Sequence, residues 1–302
     1  MWWIERVAPR GQVHLIAGTS GAGKSSYLAS YLVPSVLRGE WEGWRVHGRR
    51  VHWVITDRDR TDWVLMCERW PVLRQLTVTV ATELGVRPTL DMVAADIRRQ
   101  CPDGVDLVIV DVLPMLFTGD LNDYVSAHGL MGHAWRVTQS LGTTMLAVMH
   151  ARKHQGPSRE SPDPFDRVLG SMALRGSAGT VWVLEPVRVA AGVYARLHMR
   201  PHHAPERVYY YERDERGGFV PVPAIPYAER WLEWLSLLPP GTEIDEEDVD
   251  CFPTKRRRRR AIRQAVRAGW LEEIGDGLYR VCRPSVSSES SGGSSGPSGV
   301  SG

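Results

Sequence analysis

The chain has 302 residues, 43% of them hydrophobic, enough for one α/β domain with a sizeable core and a small appended one. A net charge of +2 excludes a molecule that is basic throughout, and no uninterrupted apolar run reaches the ~20 residues of a membrane-spanning helix. Cys67, Cys101, Cys251 and Cys282 are too scattered to make a metal-ligand spacing and read as reduced thiols, and the N-terminus lacks the layout of a signal peptide. A cytoplasmic protein without a membrane partner is the expectation.

Val13–Ala17 predicts a short buried strand and Ser26–Leu32 a helix. Between them runs Gly18-Thr19-Ser20-Gly21-Ala22-Gly23-Lys24-Ser25, a complete G-x-x-x-x-G-K-[ST] phosphate-binding loop. Its glycines let successive backbone N–H groups curl around phosphate oxygens, and the helix start adds partial positive charge. The loop residues and Ser26 are therefore the candidate nucleotide site. Lys24 is placed to reach the β- and γ-phosphates and the Ser25 hydroxyl to ligate Mg²⁺.

Alternating strand and helix patterns continue to about residue 225, which predicts a mainly parallel sheet flanked by helices. Val51–Ile55 reads as a strand, Thr61–Leu73 as a helix ending near Pro71, Val78–Val80 as a short strand, and Thr89–Arg99 as an amphipathic helix capped by Thr89. Asp106–Asp111 is a strongly apolar strand ending in an acid, Asn122–Leu141 a long helix, and Thr143–Met149 a buried strand followed by His150. A long polar loop, Ala151–Asp166, precedes strands at Thr180–Leu184 and Val193–Met199 and a hairpin of Val208–Tyr211 with Gly218–Val222.

Asp111 is a candidate second Mg²⁺ acid, because it closes an apolar strand after a phosphate loop. Hydrolysis also needs a carboxylate to orient water, and Asp57 and Asp59, just past the second strand, both qualify; solvated loop acids are the alternative. His150, at the same sheet edge, is a phosphate-sensing candidate or a structural histidine. Arg175, in the turn Gly170–Ser177, and Arg200, at a strand end, are candidates for stabilising charge on a transferring phosphoryl group.

With GTSGAGKS, VHWVITDRD, DLVIVD, MLAVMH and ALRGSAGTVW in that order, residues from about 8 to 215 resemble the RecA-like ATPases, most of all the small RepA-type hexameric helicases. The resemblance implies a RecA-like core, ATP and Mg²⁺ bound by Lys24, Ser25 and Asp111, a phosphate sensor at His150, and Arg175 and Arg200 reaching a neighbouring subunit. It departs at the catalytic base, where the family has glutamate and this chain offers Asp57 or Asp59. Related proteins place DNA-contacting loops where Ala151–Asp166 falls, so Arg152 and Lys153 are candidate phosphate contacts.

After residue 222, residues 223–226 read as a linker, 227–283 as a second module and 284–302 as a disordered Ser/Gly-rich tail. In the module, Tyr227–Leu238 and Glu243–Asp250 predict two helices. A basic helix from Thr254 follows, its apolar face made by Ala261, Ile262, Ala265, Val266 and Ala268, then Gly269 and a hairpin from Trp270 to Val281. The order resembles a winged helix-turn-helix. Six consecutive cations, Lys255 to Arg260, make nucleic-acid contact the expected role, with Lys255, Arg256, Arg257, Arg259, Arg260 and Arg263 as the residues. Neutralising the acids Asp245–Asp248, forming a solvated face or serving as a localisation signal are the alternatives.

The expected function is that of an ATP-dependent motor, a ring-shaped helicase on single-stranded DNA, expected as a hexamer with nucleotide between subunits of the homo-oligomer. A non-motor DNA-binding ATPase switch is the alternative, and a small-molecule phosphotransferase a third class that the motif order argues against.

Overall fold

The structure is a computed structural model, and it describes residues 2–151, 163–168, 172–189, 192–202, 204–222, 235, 238–246, 249, 255–267 and 269–282. The chain divides into two compact units, Met1–Arg188 with Gly192–Ile225, and Val189–Ala191 with Pro226–Gly302.

In the first unit, β1 (Trp2–Ile4) pairs antiparallel with β2 (Ala8–Pro9) ahead of β3 (Val13–Gly18). Helix α1 starts at Lys24–Tyr27, passes through a π turn at Leu28–Leu32 and continues as Val33–Arg38, where Gly39 ends it with φ +86°. A small ribbon, β4 (Glu40–Trp41) and β5 (Trp44–Arg45), leads to β6 (Val51–Ile55), α2 (Arg60–Arg69), β7 (Thr77–Val80), α3 (Leu90–Gln100), β8 (Leu107–Asp111), α4 (Tyr124–Leu141) and β9 (Thr144–His150). Then come α5 (Met172–Ser177), β10 (Thr180–Val189), β11 (Gly192–Pro201), β12 (Arg207–Arg213) and β13 (Phe219–Val222).

Helix starts follow local chemistry. Asp59 accepts from the N–H groups of Thr61 and Asp62 to begin α2, Thr89 caps α3 through the Met92 N–H at 3.3 Å, and Asp123 caps α4 through the Ser126 N–H at 2.7 Å. The expected Thr61–Leu73 helix ends at Arg69. Trp70 leaves helical geometry and Pro71 opens a 3₁₀ turn, Pro71–Gln75.

Nine strands form one sheet in the order β13-β12-β11-β10-β3-β9-β8-β6-β7. Pairs from β10 through β3, β9, β8 and β6 to β7 are parallel, and β11–β12 and β12–β13 are antiparallel. The expected α/β class with a mainly parallel sheet flanked by helices is therefore borne out. Central strands are apolar on both faces, as a sheet covered on both sides requires. Along β8, Leu107 and Ile109 join the cluster under α1 and α2, whereas Val108 and Val110 join the cluster under α3 and α4. The first cluster is aromatic, with Trp3, Trp41 and Trp182 stacked in series and Tyr27 fully buried beside them. The second is aliphatic, built on Leu15, Val54, Ile97, Leu130 and Val137.

In the second unit, α6 (Lys255–Arg267) packs Ala261, Ile262 and Ala265 against a three-stranded sheet of order β14-β16-β15, made by β14 (Glu243–Asp245), β15 (Leu271–Gly275) and β16 (Leu278–Val281). The basic helix and hairpin lie where the sequence predicts them. The expected helix Glu243–Asp250 is corrected: Glu243–Asp245 is a strand paired with Arg280–Leu278, which buries Ile244 in the small core. A run of charged residues carries no strand signal, and pairing to β16 decides its conformation. The first helix expected at 227–238 lies largely, and the tail at 284–302 entirely, outside the described residues. No helix among the described residues is long and apolar enough to cross a membrane.

Candidate nucleotide site

Four parallel strands end side by side at one edge of the sheet, and their register sets the site. Gly18, where β3 enters the phosphate loop, is level with His150 on β9, and Asp111 at the end of β8 is level with Ile55 on β6, two residues before Asp57. Thr56 ties the last two together. Its hydroxyl donates to the Val112 carbonyl at 2.7 Å and accepts from the Val112 N–H at 2.6 Å, and its own N–H bonds the Asp111 carbonyl at 2.9 Å.

The loop turns through left-handed conformations at Gly21 (φ +80°) and Gly23 (φ +88°), which side-chain-bearing residues adopt only at a cost. Ala22 is buried, and its N–H closes the turn on the Thr19 carbonyl. The first α1 hydrogen bond runs from the Tyr27 N–H to the Gly23 carbonyl, so the N–H groups of the first turn have no partner within the helix. Lys24 Nζ folds over the loop and donates to the carbonyls of Gly18 at 2.8 Å and Thr19 at 3.2 Å.

These groups open onto a cavity of about 520 Å³, lined by Ser20, Gly21, Gly23, Lys24, Ser25 and Ser26 of the loop, Asp57, Arg58, Asp62, Leu65, Met66, Arg69 and Trp70 around α2, and Asp111, Val112, His150 and Arg213. That volume is in the range of small-molecule sites, ~300–1,000 Å³. The loop N–H groups and Lys24 are the donor set of a phosphate chain. Ser25 and Asp111, hydrogen-bonded to each other, are two hard oxygen donors of the kind that holds Mg²⁺ beside phosphates. The residues present thus fit a nucleoside triphosphate with its metal.

The electrostatics are set by burial. Asp111 is 7% exposed, and its burial raises its carboxyl to about 6 despite the Ser25 hydroxyl bond. Burial lowers the Lys24 ammonium below its ordinary range, opposed by the charges of Asp111 and Asp57. Burial and then the Lys24 charge lower His150, which keeps its imidazole neutral near pH 7.

The remaining candidates fall elsewhere. Asp59 spends its carboxylate on the α2 cap, at 2.8 Å from the Thr61 N–H and 3.1 Å from the Asp62 N–H, and does not line the cavity. Arg175 pairs with Asp166 at 2.7 Å. Arg200 pairs with Asp163 at 2.8 Å and with Glu206, and stacks over the Phe165 ring. Neither arginine lines the cavity of its own chain. Arg152 and Lys153 lie outside the described residues, as do the side chains of Lys255, Arg256, Arg257 and Arg260. On the basic helix, Arg259 pairs with Glu246 at 2.8 Å, and Arg263 donates to the Arg259 carbonyl at 3.2 Å.

Sequence reasoning missed Arg58, Arg69 and Arg213 at the cavity. Arg58 follows Asp57 directly and was legible by proximity. Arg213 comes from β12, far along the chain, and no local pattern marks it.

No curated protein matches the chain. Among solved structures, a KaiC-like protein from the hyperthermophilic archaeon Pyrococcus horikoshii is similar over 73% of this chain and 94% of that one, at 14% identity and a TM-score of 0.49. Residues 1–156, more than half the chain and including the phosphate loop, Asp57, Asp111 and His150, match the AAA domain. The chain belongs to the AAA domain family and is a P-loop ATPase.

Proposed function

We propose that this chain is a Mg²⁺-dependent ATPase that assembles into a ring, a hexamer by the resemblance of its motifs, and uses hydrolysis to move along single-stranded DNA as a helicase. The observation that carries the ATPase part is the row of Lys24, His150, Asp111 and Asp57 along one sheet edge beside the phosphate loop. Lys24 and the loop N–H groups bind the phosphates. Ser25 and Asp111 hold Mg²⁺, which supplies neutralisation of charge on the transferring group. Asp57, free of the helix cap that occupies Asp59, orients the attacking water and takes its proton. His150, neutral and level with Gly18, donates to or accepts from the phosphate end.

The motor part rests on the motif order, on one placement and on the basic run of the sequence. Arg175 and Arg200 sit away from their own cavity, as residues supplied to a neighbour's site must. The consecutive cations Lys255 to Arg260 have the composition of a phosphate-binding element, whose affinity should fall steeply with salt. The pairing of Arg259 with Glu246 favours a second reading, a non-motor ATPase switch, because it neutralises part of that run within the chain.

Hydrolysis with and without single-stranded DNA, alongside Lys24→Ala, tests these readings. Strong stimulation that the variant loses, together with strand unwinding, supports the motor. Lys24-dependent hydrolysis indifferent to DNA, without unwinding, replaces it by the switch.

A further inference from the structure

The cavity holds a cation that neither the loop motif nor the strand-edge row explains. Arg213 ends β12, and its guanidinium lies against the phosphate loop so closely that a Cβ built on Gly23 would come within 1.7 Å of it. Gly23 begins α1, the positive end of a helical segment that runs on to Arg38. Arg69, at the last turn of α2, lines the same cavity, with its guanidinium stacked over Trp70. Neither arginine makes an ion pair among the described residues. The neighbouring Asp214 directs its carboxylate to the Gly218 N–H at 2.7 Å. The partner that Arg213 does have is the electron-rich face of the Phe219 ring, whose centroid lies 4.7 Å from the guanidinium carbon.

Arg213 at a helix N-terminus, with Arg69 and the buried Lys24 lining the same cavity, is repelled unless an anion lies among them. We propose that Arg213, with Arg69 beside it, is a phosphate-binding residue supplied by the same chain to its own nucleotide, gripping the polyphosphate where it passes Gly23 of the loop. The inference rests on the ATPase reading and adds to it a second, planar donor that binds two phosphate oxygens at once, which Lys24 as a point charge does not. Burial and then the Arg69 charge press the Arg213 guanidinium toward its neutral form, against the charge of Asp214.

The test compares wild type, Arg213→Gln, Arg213→Lys and Lys24→Ala by calorimetric titration with Mg·ATP and by thermal unfolding with and without ATP or inorganic pyrophosphate. Arg213→Gln is expected to bind ATP about tenfold more weakly, to lose most of the pyrophosphate-induced rise in melting temperature, and to melt no lower than wild type when ligand-free. Arg213→Lys should recover part of the affinity. A structural role predicts the reverse, a lower ligand-free melting temperature with an unchanged ligand-induced rise, and that outcome overturns the proposal. So does a variant that loses ATP affinity but keeps the full pyrophosphate effect, since Arg213 then reads the base or sugar. Wild type that binds ATP in a Lys24-dependent way while Arg213→Gln binds alike sinks this inference alone. Wild type that binds neither ligand sinks the ATPase reading and this inference with it.

Discussion

Burial raises the Asp111 carboxyl from 3.8 to about 6, and the sign of this shift makes a prediction. A carboxyl whose folded pKa exceeds its unfolded one stabilises the fold below the unfolded value and loses that contribution as pH rises through the folded one. At pH 8 the free protein therefore carries an ionised, buried Asp111 at a cost on the order of 3 kcal/mol, an upper bound. Asp111→Asn should raise the ligand-free melting temperature at pH 8, change it little at pH 4, and remove the further rise that Mg²⁺ gives in the presence of ATP; differential scanning calorimetry at both pH values reads all three. A second contrast separates the two acids past β6. Asp57→Asn should keep ATP affinity and lose hydrolysis by about 10²-fold or more. Asp59→Asn should keep hydrolysis, because asparagine still caps α2. Asp59→Ala should cost about 1 kcal/mol of stability in denaturant melts. Loss of hydrolysis in Asp59→Asn would reverse the assignment. The two aspartates are indistinguishable in sequence, both just past a strand and both beside an arginine. The structure tells them apart: Asp59 caps α2 through the Thr61 and Asp62 N–H groups, and Asp57 lines the cavity. Lys24, Ser25 and Asp111, in contrast, were legible because a phosphate loop and an apolar strand ending in acid are local patterns.

At the scale of elements, the site depends on how the ends of β6 and β8 are joined. The Thr56 hydroxyl is buried and satisfies both the N–H and the carbonyl of Val112. Thr56→Val keeps the shape and leaves both groups unpaired, a loss of about 2 kcal/mol. Because Asp57 and Asp111 flank this clamp, kcat should fall with little change in KM for ATP, and Thr56→Ser should restore both kcat and stability. A KM effect as large as the kcat effect would show that the clamp positions the nucleotide and not the catalytic acids. The order of strands and helices through β9 was legible because parallel strands covered on both faces are continuous apolar runs. β14 was not, because Glu243-Ile244-Asp245 has one apolar residue and takes strand geometry only when β16 pairs with it. The ribbon β4–β5 escaped for the same reason, being two residues a side.

For the molecule as a whole, pH dependence is governed by histidines that the fold buries neutral. His14, fully buried, bonds the Pro9 carbonyl through Nε2 at 2.9 Å and has no hydrogen-bond partner at Nδ1 among the described residues. His52, also fully buried, sits between the Thr77 and Thr79 hydroxyls at 2.7 and 2.9 Å. Burial depresses both to about 4 from the ordinary 6.5, in the second case against the charge of Asp96. A histidine with a depressed folded pKa stabilises the fold above 6.5, and that contribution drains away as pH falls toward 4, because the unfolded chain takes up protons that the folded one refuses. Each is worth up to about 3 kcal/mol across that window. Asp111 works in the opposite direction between about 6 and 4, so it offsets one histidine and leaves a net loss. Denaturant melts should therefore show stability that falls from pH 6.5 to pH 4 without ligand. His14→Gln, which keeps a donor for the Pro9 carbonyl and cannot titrate, should remove most of that slope, because Asp111 then offsets the one remaining histidine. If the slope is unchanged in His14→Gln, the ring admits its proton without unfolding, and the strand pair that covers it, β1 with β2, opens locally before the sheet does.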